Sequence, residues 1–188
     1  MGLDSISLLN FDTGWQHTNS PMNIMPLGKL NLPPTSEVGD IESGNKKYHI
    51  SFKNDGKYRC LNFRMDNFYD GKPIEGDIIL TNHNEDSMVI VTPFAEKETA
   101  FYYNQKINCM RAKGTVKIGD TVYKMEPDSS FGVLDWGRGV WTYHNTWYWG
   151  SASGLVDGAD FGFNIGYGFG DTTAASENML FYNNKAHK

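Results

Sequence analysis

Tyr48-His49-Ile50-Ser51-Phe52-Lys53-Asn54-Asp55-Gly56-Lys57-Tyr58-Arg59-Cys60-Leu61-Asn62-Phe63 decides the fold class. Its first five residues alternate apolar with polar, the pattern of a strand with one covered face. Asn54-Asp55-Gly56-Lys57 then supplies a tight turn, because Asn, Asp and Gly tolerate the left-handed backbone that a short hairpin loop demands. Residues 58–63 run back, so the stretch reads as a β-hairpin.

The same pattern recurs outward. Strands are expected at 77–81, 88–92, 99–103, 114–118 and 122–125, with Gly119-Asp120 as a second hairpin turn. Beyond Phe131 come 139–151, 161–169 and 178–182, with Asp157-Gly158 turning between the first two. Helical periodicity is nearly absent, and the one helical candidate is a short turn at 173–177. Pro21, Pro26, Pro33 and Pro34 interrupt residues 19–45, which reads as a long loop covering something. No repeat or linker divides the chain. The expectation is a single all-β domain over 1–188, an antiparallel barrel or sandwich.

Composition narrows the function classes. Among 188 residues, 39% are hydrophobic and 14% aromatic, enough for a real core. No apolar run approaches the ~20 residues of a membrane helix. A net charge of −5 without any basic run argues against nucleic acid and acidic membrane surfaces. The opening MGLDSISLLNFDTGW lacks the basic-then-apolar layout of a secretion signal, so the cytoplasm is the expected compartment. Cys60 and Cys109 have neither disulfide-framework nor metal spacing and read as buried thiols. His17, His49, His83 and His187 are scattered, so no metal is expected. No cofactor is expected either: Gly166-Tyr167-Gly168-Phe169-Gly170 is not followed by Lys-Ser/Thr, as a phosphate loop would be. Nor does any Gly-x-Ser-x-Gly elbow mark a nucleophile.

Residues 131–170 hold ten of the twenty glycines and four of the five tryptophans. The informative stretch is Leu134-Asp135-Trp136-Gly137-Arg138-Gly139-Val140-Trp141-Thr142-Tyr143-His144-Asn145-Thr146-Trp147-Tyr148-Trp149-Gly150. If 141–149 is one strand, Trp141, Tyr143, Asn145, Trp147 and Trp149 share a face, and Thr142, His144, Thr146 and Tyr148 share the other. In 161–170 the odd positions are large and apolar, while the even ones are glycine except Asn164. That nearly bare face points either to curvature filled by neighbouring aromatics or to room for a ligand.

Charge is the second clue. Between Met125 and Asn184 the only Lys or Arg is Arg138, amid Asp135, Asp171, Glu177 and other acids. A desolvated Arg–carboxylate pair can clamp a turn or orient a catalytic acid. His144 is either a general acid or base or a satisfied half-buried side chain.

At these residues the chain resembles a known group. LDWGRGVW, HNTWYWGSASG and GFNIGYGFGDTTAASENMLFYNNKAHK are similar to the signature of an uncharacterised bacterial family classed as a domain of unknown function. SPMNIMPLGKL, LPPTSEVGD, SMVIVTPF and FYYNQKINCM resemble further blocks of it, so the similarity spans the whole chain. The resemblance implies a protein extended at both ends by further β-structure, of which this chain is the central part. More distantly, the acidic-Trp-Gly-Arg block followed by Trp-x-Trp-Gly resembles the lipocalin-like carotenoid hydratase (hydroxyneurosporene synthase) and AttH-type proteins. That carry-over reaches Asp135, Trp136, Gly137, Arg138, Trp147, Trp149 and Gly150. It implies a lipocalin-like, calycin-type barrel, incomplete where flanking strands are missing. The hydratase motif has an Asp-His pair before its Trp-Gly, where this chain has Leu134-Asp135.

The leading expectation is therefore a lipocalin-like protein that binds an apolar or amphipathic small molecule in a pocket lined by Trp136, Tyr143, Trp147 and Trp149. Trp141, Asn145, Asn164 and Tyr167 join them as candidate ligand-binding residues. As a hydratase or isomerase, it would use Asp135 to protonate an alkene, with aromatic faces stabilising the cation and Arg138 holding the carboxylate. The Arg138 charge opposes that acid role, which makes Asp171 or Glu177 the alternative acid. The rival readings are a carbohydrate-binding or carbohydrate-processing protein and a structural β module. Solvent exposure of Trp147 and Trp149 discriminates, since sugar sites are open and lipid sites closed. Missing flanking strands would leave free sheet edges, from which a homodimer through β-edges is expected.

Overall fold

The computed structural model describes residues 2–23 and 32–188. Four short strands come first: β1 (Gly2–Leu3), β2 (Ile6–Leu9), β3 (Gln16–Asn19) and β4 (Met22–Asn23). Then follow β5 (Ile41–Gly44), β6 (Tyr48–Asn54), β7 (Tyr58–Tyr69), β8 (Lys72–Thr81), β9 (Met88–Pro93) and β10 (Phe101–Ile118). The last six are β11 (Thr121–Met125), β12 (Phe131–Val140), β13 (Tyr148–Val156), β14 (Ala159–Tyr167), β15 (Met179–Tyr182) and β16 (Lys185–His187). No helix occurs among the described residues, so none is long and apolar enough to cross a membrane. The fold is all-β, built of antiparallel sheets, and none of them closes into a barrel.

The chain forms two compact units, Met1–Ile79 with Lys113–Glu126, and Leu80–Ala112 with Pro127–Lys188. They interleave in sequence: two of the three crossings fall within β8 and β10, and the third in the connection between β11 and β12.

In the first unit the expected hairpin is β6–β7, with Tyr48 opposite Met65 and Asn54 opposite Arg59. The Asp55 carboxylate accepts the Lys57 and Tyr58 amides at 2.8 and 2.7 Å, and Gly56 takes φ +91°. These bonds hold the Asp55 carboxyl below its usual range. Tyr48, Met65, Phe68 and Ile74 form much of the core, each no more than 5% exposed. Asp4 ties the N-terminal strands in, accepting hydrogen bonds from Tyr48, Ser43 and Asn23.

In the second unit β10 runs between β9 and β12 over residues 101–106. The sheet β13-β14-β15-β16 packs on it through Met88, Ile90, Cys109 and Phe181. Between Ile107 and Met110 two residues of β10 face one of β12, a β-bulge, and Cys109 takes φ +60°. The bulge aims the Asn108 amide at Ser151 Oγ, the Ala152 carbonyl and the Phe163 carbonyl, at 2.8–3.0 Å. Gly162 is required there: a Cβ would lie 2.7 Å from Cys109 Sγ and from the Ala152 carbonyl oxygen. The bare face of β14 is filled by protein, and close approach accounts for its glycines.

Several sequence expectations change. Strands 99–103 and 114–118 merge into the single 18-residue β10, because Asn104, Gln105, Lys106 and Asn108 between them are buried and paired. The expected strand 139–151 is interrupted: β12 ends at Val140 and β13 starts at Tyr148. Thr142 Oγ1 donates to Asn145 Oδ1, and Asn145 Nδ2 donates to the Thr142 carbonyl. Such local bonds compete with a ladder and make a loop. The helical turn at 173–177 does not form, since Asp171 accepts the Thr173 amide in an Asx turn instead. The long loop 19–45 contains β4 and β5, and its residues 24–31 lie outside those described. Cys109 is buried as expected, whereas Cys60 is half-buried.

Candidate functional site

The site grows from the register between β10 and β12. Lys106 stands directly opposite Asp135, and opposed residues share a face of an antiparallel sheet. Lys106 Nζ lies 2.7 Å from Asp135 Oδ2 and 3.4 Å from Glu177 Oε2, with Lys106 only 3% exposed. The same ammonium sits 4.9 Å from the centroid of the Trp149 ring. Burying an ammonium is costly, and here two carboxylates and an aromatic face offset that cost. Two acids against one cation leave the cluster with one net negative charge.

A second layer orients these groups. Trp149 Nε1 donates to Asn164 Oδ1 at 2.7 Å, and Asn164 Nδ2 donates to the Glu177 carbonyl and to Glu177 Oε2 at 2.9 and 3.2 Å. Asn164 is fully buried. Gly166 leaves the space that the Glu177 side chain occupies, since a Cβ there would overlap it. On β10, Asn104 donates to the Tyr102 hydroxyl, to Asp135 Oδ1 and to the Trp136 carbonyl. Burial, and then the negative charges of Asp135 and Glu177, push the Tyr102 hydroxyl far above the usual tyrosine range, against the Asn104 bond. Tyr102 is therefore a neutral hydroxyl.

Phe169 organises the wall. Its ring meets Tyr102, Trp147 and Trp141 edge-on at centroid distances of 4.8, 5.2 and 6.2 Å. Together these residues bound a cleft of about 820 Å³, within the range of small-molecule sites. Aromatic faces lie along its sides and the Asp135–Lys106–Glu177 cluster forms its polar part.

Of the residues singled out from sequence, Asp135, Glu177, Trp141, Tyr143, Asn145, Trp147 and Trp149 line this cleft. The loop gathers Trp141, Tyr143, Asn145 and Trp147 there, together with Thr142, which strand alternation put on the opposite face. Six candidates do not line it. Trp136 and Arg138 alternate away from Asp135 on β12; Trp136 packs against Tyr103 and Arg138 is exposed. The cation that meets Asp135 at 2.7 Å is Lys106. His144 is exposed beside Tyr143, and Tyr167 is 71% exposed. Asp171 serves the Asx turn, and its carboxyl is held below the usual range by the backbone amide and then the hydroxyl of Thr173. Asn164 acts from behind Trp149 and Glu177. Sequence reading missed Tyr102, Lys106 and Phe169; for the first two the available signal was FYYNQKINCM, where polar residues interrupt a strand-like block, and Phe169 stood among the large odd positions of 161–170. Among the described residues no group of three or more His, Cys, Asp or Glu could hold a metal ion.

No curated protein and no solved structure matches the chain. A family model described as "Domain of unknown function (DUF2804)" matches residues 1–188, the full length of the sequence. The chain therefore belongs to the DUF2804 family, a domain of unknown function.

Proposed function

We propose that the aromatic cleft binds an amphipathic small molecule, and that its class is carbohydrate. One observation carries this reading: Trp147 and Trp149 remain 55% and 45% exposed at the cleft while Asp135 and Glu177 stand beside them. A sugar ring has apolar C–H faces that stack on indole and hydroxyls that donate to carboxylates. A closed lipid pocket would cover both tryptophans. The arrangement favours binding over hydrolysis, because both carboxylates contact one ammonium instead of flanking an open bond.

The second reading is a hydratase or isomerase of an apolar alkene. Its support is the position of Asp135 in a cleft with the faces of Trp149 and Tyr102, together with the resemblance to lipocalin-like carotenoid hydratase.

Tryptophan fluorescence, titrated with a panel of neutral oligosaccharides and separately with long-chain alkenes in detergent, tests both. Saturable quenching by a sugar, lost in Trp149→Ala, is the expected result. A response to the alkenes alone would replace the first reading with the second.

A further inference from the structure

The alternation in β14 runs against the usual rule for a half-buried strand. Gly162, Asn164 and Gly166 face the packed side, while Phe163, Ile165 and Tyr167 face away from it. Ile165 is 53% and Tyr167 71% exposed. Register extends this outward face across the sheet. Tyr148 stands opposite Tyr167, Gly150 opposite Ile165, Ala152 opposite Phe163, and Leu180 beside Phe163 on the other flank. The outward positions of β13 and β14 carry no charged side chain.

The size of the face identifies its occupant. Tyr148 and Tyr167 are each 71% exposed on this face, and Ile165, Val156, Tyr182 and Leu180 are 53%, 45%, 44% and 41% exposed. At roughly 200 Å² for a fully exposed large side chain, these exposures add up to on the order of 650 Å² of mostly apolar surface. The largest patch on a typical monomer is about 300–600 Å². A stable interface removes about 800 Å² from each partner. The relief is also complementary to itself. Gly150, Ala152 and Gly154 form a trough on β13, alongside the ridge of Phe163, Ile165 and Tyr167 on β14. A Cβ on Gly150 or Gly154 would meet nothing within 4 Å. A two-fold axis can set each copy's ridge into the other's trough, which is an isologous contact.

We propose that this outer face of β13–β14–β15 is the surface through which two copies of the chain associate face to face. The cleft at Trp149 lies on the opposite side of the same sheet, so association leaves it accessible.

Sedimentation equilibrium of the full chain, from low micromolar to millimolar concentration, tests the proposal. The expected result is a dimer that both Ile165→Lys and Gly150→Trp convert to monomer, with an unchanged far-ultraviolet circular dichroism spectrum. Gly150→Trp fills the trough at a position with open space, so it keeps the test valid if Ile165→Lys disturbs folding. A wild-type chain that stays monomeric throughout would overturn the proposal. So would a dimer that Gly150→Trp leaves intact, which would point to pairing through strand edges instead.

Discussion

Lys106 and Asp135 occupy directly opposed positions on β10 and β12, and their charged atoms meet at 2.7 Å under the indole of Trp149. Glu177, in the connection between β14 and β15, approaches the same ammonium at 3.4 Å. Removing the cation leaves two acids facing one apolar side chain. Lys106→Met is expected to lower stability by about 1–3 kcal/mol, below the roughly 3–5 kcal/mol of a fully buried broken pair because Asp135 keeps partial hydration. Adding Asp135→Asn should recover part of that loss. Urea denaturation measures both; an unchanged midpoint in Lys106→Met would count against a shared buried cation.

Trp147 and Asn164 separate contact from support. Trp147→Ala should weaken oligosaccharide binding about tenfold or more while changing stability by under about 0.5 kcal/mol, because the ring is half exposed. Asn164→Ala touches nothing in the cleft, yet it releases both Trp149 and Glu177. It should weaken binding as well and cost about 2 kcal/mol of stability, since it strips partners from buried polar groups. Fluorescence titration and chemical denaturation of the same samples read the two effects.

Alkaline pH should expose the Tyr102 hydroxyl. Its folded-state pKa lies above the unfolded value of 10.0, chiefly through burial. The folded state therefore holds a proton that the unfolded chain releases. That contribution is fully present below about pH 10 and is lost as the pH rises through that value toward the folded pKa. Tyr48, raised by burial and by its bond to Asp4, acts in the same direction. Tyr102→Phe should flatten the fall in stability above pH 10, measured as the urea midpoint against pH. An unaltered slope would mean that the hydroxyl is hydrated.

The two thiols should react differently. Cys60 is half-buried and free, whereas Cys109 is 1% exposed and burial pushes its thiol pKa up. A thiol reagent at neutral pH is expected to modify Cys60 alone in the native protein, and both cysteines in denaturant. Mass spectrometry after a short pulse counts them. Rapid native modification of Cys109 would mean that the packing of β10 on Gly162 opens readily.

Asp4 should matter more than its place near the N-terminus suggests. Asp4→Ala leaves Tyr48, Ser43 and Asn23 without their shared acceptor and should cost about 2 kcal/mol. Tyr48→Phe, which removes one of the three donors, should cost about 1 kcal/mol. Equal losses in the two variants would show that the other two bonds contribute nothing.

What sequence alone determined was local in origin. The β6–β7 hairpin was legible because alternation, the Asn54-Asp55-Gly56-Lys57 turn and the return strand all act within sixteen residues. The aromatic cluster at 141–149 was legible by composition, although its strand geometry was not, because the Thr142–Asn145 bonds replace a ladder with a loop. Tertiary structure alone decided the partner of Asp135. Lys106 lies 29 positions upstream in a strand whose polar residues read as a break, and only the register of β10 with β12 brings it to the carboxylate. It also decided which face of β14 is covered. Periodicity divides a strand into two faces, but the neighbour that packs on one of them, here the bulged Asn108–Cys109 segment against Gly162, comes from distant sequence.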